Sequence, residues 1–189
     1  FPTLQPTAFN LAEAGQFAVL YSEIGEVDDP GSTTASFRGT TYLLTDMQWM
    51  FDVVFAAHPN RREGNELLTL AQLQRYDAVI LPNTRYLTDA QIVLLEQYAN
   101  AGGILIGFGR VADNDHTGQI RSGDRSFDDY FGSDEVQAVG SGFVISFEST
   151  LGSNYESDKT SATSKSTIRE SFSDLVSRNV TPEVGLTHS

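Results

Sequence analysis

Four polar residues stand just behind apolar, strand-like runs, where an α/β protein keeps its chemistry. His58 follows "DVVFA" (52–56), Asn83 and Arg85 follow "YDAVILP" (76–82), and Arg110 follows "GILIGF" (103–108). Ligands of an open parallel sheet bind beyond the carboxyl ends of its strands. His58, Asn83, Arg85 and Arg110 are therefore the candidates for a ligand cleft. The competing reading makes them loop residues engaged in local hydrogen bonds. A nucleophile is harder to find. In many α/β enzymes a sharp strand-to-helix turn carries one, but here the turn is Gly107-Phe108-Gly109, and the chain has no cysteine. No G-x-S-x-G occurs, and Gly140-Ser141-Gly142 precedes a strand, the wrong context for a nucleophile elbow. The histidines are His58, His116 and His188, and no spacing singles out a Ser-His-acid set among them. No catalytic residue is assigned.

"DNDHTGQIRSGD" (113–124) has the alternation of a calcium loop. Asp113, Asp115 and Thr117 fall at positions 1, 3 and 5, Gly118 at 6, Ile120 at 8 and Asp124 at 12. Oxygen ligands at that spacing are turned toward one centre. Against calcium, Thr117 is a weaker ligand than Asp, Arg121 adds a positive charge, and the flanks are not two helices. The alternative is a polar, turn-rich loop. Asp128 and Asp129 are adjacent, so on a short helix they point to different faces and do not form a catalytic pair. Trp49 lies on an apolar helical face and reads as core, not as a sugar platform.

The elements that position these residues follow from hydrophobic periodicity. "QFAVLYS" (16–22), 52–56, 76–82, 103–108 and "GSGFVISFE" (140–148) read as strands, the last with Phe143, Ile145 and Phe147 alternating against Val144 and Ser146. Continuous apolar runs fit parallel strands covered on both faces. The segment 39–52 reads as a helix with Leu43, Met47, Met50 and Phe51 on one face. The segment 88–103 reads as another, with a Thr88/Gln91 capping box, a stripe set in register by Ile92, Leu95, Glu96 and Ala99, and a left-handed stop at Gly102. A terminal helix covers 164–179, with Ile168, Phe172, Leu175 and Val176 inward. The segments 23–38 and 149–165 read as long loops. The order β-α-β-α-β-α-β, an irregular stretch, then β-α predicts one doubly wound, mostly parallel α/β sheet with helices on both faces, in three layers. A single domain spans 1–189, with extended ends at 1–14 and 187–189.

The stretch "YDAVILPNTRYLTDAQIVLLEQYANAGGILIGFGR" (76–110) resembles the class I glutamine-amidotransferase-like, flavodoxin-like fold. More narrowly it is similar to the trimerisation domain of bacterial β-galactosidases of glycoside hydrolase family 42. "ADNDHTG", "DDYFG" (128–132), "GSGFVISFESTLGSNY" (140–155) and "PEVGL" (182–186) follow in that domain's order, so the resemblance covers about residues 15–187. It implies an amidotransferase fold without its chemistry, because Gly107-Phe108-Gly109 stands where such enzymes carry the cysteine. It also implies a domain appended to a catalytic barrel that helps to build the oligomer. No barrel and no pair of barrel glutamates lies in these 189 residues.

Composition bounds the rest. The chain is 40% hydrophobic with a formal charge of −13, from 25 acidic and 12 basic residues. Only Lys159 and Lys165 are lysines. An acidic surface repels nucleic acid and anionic membranes, and an acidic, lysine-poor chain suits a halophilic cytoplasm. No apolar run approaches a membrane span, and no signal peptide is visible. The first residue is Phe1, which reads as a processed product or an excised piece. The expected function is a non-catalytic module of a larger carbohydrate-active protein, serving homo-oligomer assembly or shaping the site of an adjacent catalytic domain. The alternatives are a stand-alone sugar-utilisation enzyme working through His58, Arg85, Arg110 or an acidic neighbour, and a carbohydrate-binding protein with calcium at 113–124.

Overall fold

The computed structural model describes residues 17–60, 68–121, 131, 136–147, 151–157 and 160–179. All five expected strands form, and they share one sheet. β1 (Phe17–Ser22), β2 (Phe51–Ala56), β3 (Ala78–Pro82), β4 (Ile104–Phe108) and β6 (Gly142–Phe147) run parallel. A sixth, β5 (Val136–Val139), was not foreseen and pairs antiparallel with β6. Its four residues are short and mostly half-exposed, as an edge strand's are. The order across the sheet is β2-β1-β3-β4-β6-β5. The chain steps from β1 outward to β2, then returns past β1 to build the other side, so the topological switch lies between β1 and β3.

Among the described residues six helices accompany the sheet: α1 (Glu23–Asp28), α2 (Pro30–Asp46), α3 (Leu70–Leu73), α4 (Asp89–Asn100), α5 (Leu151–Glu156) and α6 (Ala162–Asn179). On one face, Leu20, Val79, Leu81, Leu105 and Val144 pack in a cluster with Leu73 of α3 and Ile92, Leu95 and Ala99 of α4. On the other, Val19, Ile80, Ile106, Phe108 and Ile145 pack with Leu43 and Leu44 of α2, Tyr155 of α5, and Phe172 and Val176 of α6. This is the expected three-layer α/β architecture. β3 and β4 are buried at every position, which is why their sequences are apolar without alternation. β6 departs from simple alternation for the same reason: Val144 and Ile145 are both buried, while Phe143 at its start is 37% exposed.

α4 has the expected ends. Thr88 and Gln91 form both bonds of the capping box, and Gly102 sits at φ 112°. The N–H groups of Gly103 and Gly102 donate to the carbonyls of Tyr98 and Ala99, each at 3.0 Å, the double bond of a Schellman stop.

The segment 23–38 is not a loop. It folds into α1 and the first half of α2, with Pro30 in the first turn, where its missing N–H costs nothing. At Ser36 the segment packs closely on α5, where a Cβ on Gly152 would lie 2.6 Å from the Ser36 carbonyl oxygen. A Cβ on Gly39 would lie 1.7 Å from the Gly152 carbonyl oxygen of α5. The helix expected over 39–52 ends at Asp46 because Gln48 takes φ 57° and builds a second Schellman stop, with Trp49 N–H on Leu44 O and Gln48 N–H on Thr45 O. Met50 is consequently 69% exposed, not inward, and Phe51 opens β2. Trp49, half-buried and past the end of α2 instead of on its face, stacks on Phe17 (5.1 Å, 9°) and tilts against Phe172 (5.7 Å), so it packs against the core. The other expected loop, 149–165, contains α5 and the start of α6. The short strand expected at 182–186 lies outside the described residues.

Candidate functional site

β3 and β4 deliver Asn83, Arg85 and Arg110 to the carboxyl edge of the sheet, and β2 delivers His58. Asn83 stands at φ 45°, a left-handed conformation that asparagine tolerates better than most residues. Its N–H continues the ladder to Phe108 O (3.0 Å), and its Nδ2 donates to Ser32 Oγ in the first turn of α2 (2.6 Å). Arg85 turns its guanidinium onto Asp113, with Nε to Oδ1 at 3.1 Å and Nη2 to Oδ2 at 3.3 Å. Nη2 also donates to Asn114 Oδ1 at 3.3 Å, and Nη1 lies 3.7 Å from Asp29 Oδ2. The hydrogen bond to Asp113 raises the Arg85 pKa further, so the group is permanently cationic. Arg110 reaches the same carboxylate, Nη1 to Asp113 Oδ2 at 3.4 Å, from a far more exposed position.

His58 stands apart from this cluster. Its N–H donates to Glu23 Oε2 and its Nδ1 accepts the N–H of Asn60, each at 3.1 Å. The structure thus unites Arg85 and Arg110 on Asp113, ties Asn83 to α2, and ties His58 to Glu23 of α1 and to its own turn.

The loops behind β3 and β4 also bind each other. Tyr86 and Asn114 form a β-bridge. Ala112 N–H donates to Thr84 O (2.9 Å), Asn114 N–H to Arg85 O (3.0 Å), and Ser22 Oγ to Tyr86 O (2.8 Å). Two residues that sequence reasoning did not select hold this closure. Asn114 is buried and donates from Nδ2 to Gly118 O (3.0 Å). Arg121, whose side chain is 6% exposed, bonds Asp89, Leu87 O and Asn114 O. Arg121 counts against calcium in the sequence, and Asp89 is a first-turn acid there; the pairing between them needs the fold. Thr84 Oγ1 is buried without a partner among the described residues.

The carboxylates of the calcium-like loop have partners inside the chain. Asp113 meets the two arginines. Asp115 Oδ1 accepts from Thr117 N (2.8 Å), Thr117 Oγ1 (2.7 Å) and Gln119 N (3.0 Å). These bonds, the Thr117 hydroxyl first, hold the Asp115 carboxyl below the usual range. Asp124 and the pair Asp128-Asp129 lie outside the described residues. Among the described residues no three His, Cys, Asp or Glu side chains gather as a metal site would require.

The Gly107-Phe108-Gly109 stretch itself presents no side chain to a ligand. Phe108 is fully buried between Phe147 (5.7 Å) and Phe172 (5.9 Å). Above Gly107, a Cβ would stand 2.3 Å from the Phe131 ring. Gly109, at φ 72°, donates its N–H to Phe147 O (2.8 Å). No helix of the described residues is long and apolar enough to cross a membrane.

No protein-family model and no curated protein matches this chain. Solved structures do. A GH42 beta-galactosidase from G. stearothermophilus aligns over 87% of this chain and 30% of its own, with a TM-score of 0.57 at 10% identity. An exo-beta-1,4-mannosidase from Opitutaceae bacterium strain TAV5 aligns over 89% of this chain and 36% of its own, with a TM-score of 0.55 at 12% identity. At such identities the likeness is one of fold. The chain spans about a third of the length of each of these proteins.

Proposed function

We propose that this chain is a non-catalytic amidotransferase-like module of a larger carbohydrate-active protein, serving oligomer assembly or shaping the active site of an adjacent catalytic domain. The observation that carries the reading is the closed carboxyl edge. In this fold that edge is where ligands bind, yet here Arg85 and Asp113 satisfy one another, the 83–87 and 110–121 loops are bonded together, and Phe108 is core. Arg85 and Asp113 spend their charges on each other, while Arg110 lends Asp113 one contact and stays 73% exposed. The carbohydrate part is supported by the fold likeness to segments of a beta-galactosidase and a mannosidase.

The test is the mass of the native gene product, read by immunoblot of source-cell lysate with antibody against this domain. A band far above 20.7 kDa supports the module reading, and catalysis is then sought in the rest of the chain. A band near 20.7 kDa overturns it in favour of a stand-alone enzyme or carbohydrate-binding protein.

A further inference from the structure

α6 is the longest helix among the described residues, yet few side chains seat it. Over its 18 residues, Phe172 and Val176 are the only described side chains that are buried, and Ile168 and Leu175 are partly so. α4 buries five in 12 residues, and α2 six in 17. Serine and threonine recur along α6 and are poor helix formers, so the helix depends on its contact with the sheet. Open clefts run along both of its flanks. One separates Met47 and Trp49 from Arg169, Ser173 and Ser177; the other separates Asn154 of α5 from Ser164, Thr167 and Ile168.

Two ties hold α6 down. One is an aromatic peg: the Phe172 ring sits among Phe147 (5.3 Å), Trp49 (5.7 Å) and Phe108 (5.9 Å). The other is a charged clasp on Tyr155 of α5, whose ring is buried. The Tyr155 hydroxyl donates to Asp46 Oδ2 at 2.6 Å and accepts from Arg169 Nη1 at 2.8 Å. Arg169 Nη1 also lies 3.7 Å from Asp46 Oδ2, and Lys165 Nζ stands 5.3 Å from the centre of the Tyr155 ring. The Arg169 and Asp46 side chains are 34% and 51% exposed, so salt screens the clasp. Salt also relieves the self-repulsion of a chain at −13, which favours the folded state over the unfolded chain. An opening of α6 alone would feel the first effect; global unfolding feels both.

We propose that α6 is a strap: it lifts from the sheet as a unit while the rest of the domain stays folded, and the clasp on Tyr155 sets how often it does so. Native-state openings of this kind fall on elements with few buried apolar contacts. The open form bares the aromatic face of Trp49, Phe108 and Phe147. α2 and α5 stay in place because they are locked to each other, backbone against backbone, at Gly39 and Gly152. The opening is a property of this chain by itself and does not depend on its being part of a larger protein.

The test is native-state hydrogen exchange on the ¹⁵N-labelled full chain, at low salt and in molar sodium chloride, over denaturant concentrations below the unfolding transition. Residues 170–177 should be less protected than Val79–Leu81 of β3 and Leu105–Gly107 of β4 by about tenfold or more, with a shallower denaturant slope. Salt should speed exchange in α6, and should slow it or change it less in the two strands. Val79→Ala empties a buried site on the opposite, α4-covered face. It should speed the strands by about tenfold or more and leave α6 unchanged, because an opening of α6 keeps that core intact. Arg169→Gln should speed α6 by about tenfold and erase its response to salt. Equal protection and equal slope in α6 and the strands would mean that α6 leaves only when the whole chain unfolds, and the proposal falls. It falls equally if Val79→Ala speeds α6 as much as the strands. A salt response that survives Arg169→Gln also overturns it, since the clasp then does not set the opening.

Discussion

At the carboxyl ends of β3 and β4, Arg85, Arg110 and Arg121 each meet a carboxylate of the same chain. Along β2, Val53 and Phe55 keep large apolar surface in water, and the strand's outer backbone pairs with no described strand. The first region has the residue types of an active site in the arrangement of a structural joint. The second has the residue types of a core left partly in water. Residue type alone therefore misleads in both places. A charged cluster is functional when its groups lack internal partners, and an apolar strand is interior only when something covers it.

The largest expected effect breaks the comparison at its first term. If the turn after β4 is core, Phe108→Ala empties a fully buried site between two aromatic rings and costs about 3–5 kcal/mol. Urea unfolding followed by fluorescence measures it. A loss under about 1 kcal/mol would mean that the ring is dispensable to packing, and the turn would return as a ligand site.

Arg85→Ala should cost less, about 1–3 kcal/mol, because it strands a mostly buried Asp113 carboxylate while Arg85 itself is one-quarter exposed. Arg110→Ala should cost under about 0.5 kcal/mol, since that side chain is 73% exposed and its contact is 3.4 Å long. The double variant Arg85→Ala/Asp113→Ala should recover part of the loss, because no carboxylate is then left unpaired. Equal losses for the two arginines would deny that the network is a joint held chiefly by Arg85.

Much of the fold is legible in the sequence because its signals are local. β3 and β4 are unbroken apolar runs, and α4 carries both its start and its stop in residues 88–102. What escapes is set by distant partners. α2 looks like a loop because glycine, serine and threonine are poor helix formers; they are helical because α5 approaches too closely for larger residues. The stop at Gln48 is unmarked, since glutamine rarely takes a positive φ. At the site, periodicity places His58, Asn83, Arg85 and Arg110 behind the strands correctly. It cannot say that Asp113 would stand beside Arg85 across 28 residues, nor that Arg121 would cross to Asp89. The oxygen spacing of 113–124 fits a cation as well as it fits a polar turn. The guanidinium of Arg85 supplies positive charge to the first of those oxygens.

That substitution fixes the smallest effect. Calcium needs six to eight oxygens free to turn inward. Both oxygens of Asp113 already accept from Arg85, and Asp115 Oδ1 already accepts three donors that keep its carboxyl ionised without a metal. Binding would have to break the Arg85 fork and leave a guanidinium beside the ion, at a cost of the same order as Arg85→Ala. Millimolar calcium is accordingly expected to leave the melting temperature unchanged, against a control in magnesium. A calcium-specific rise would mean that the acidic loop yields its arginine to the ion. The carboxyl edge would then be a ligand site after all, and the contrast with β2 would lose its first term. Repeating the melt with Arg85→Ala separates the two accounts. If the arginine holds the loop in the metal's place, calcium should begin to stabilise the variant while still leaving the parent chain unmoved.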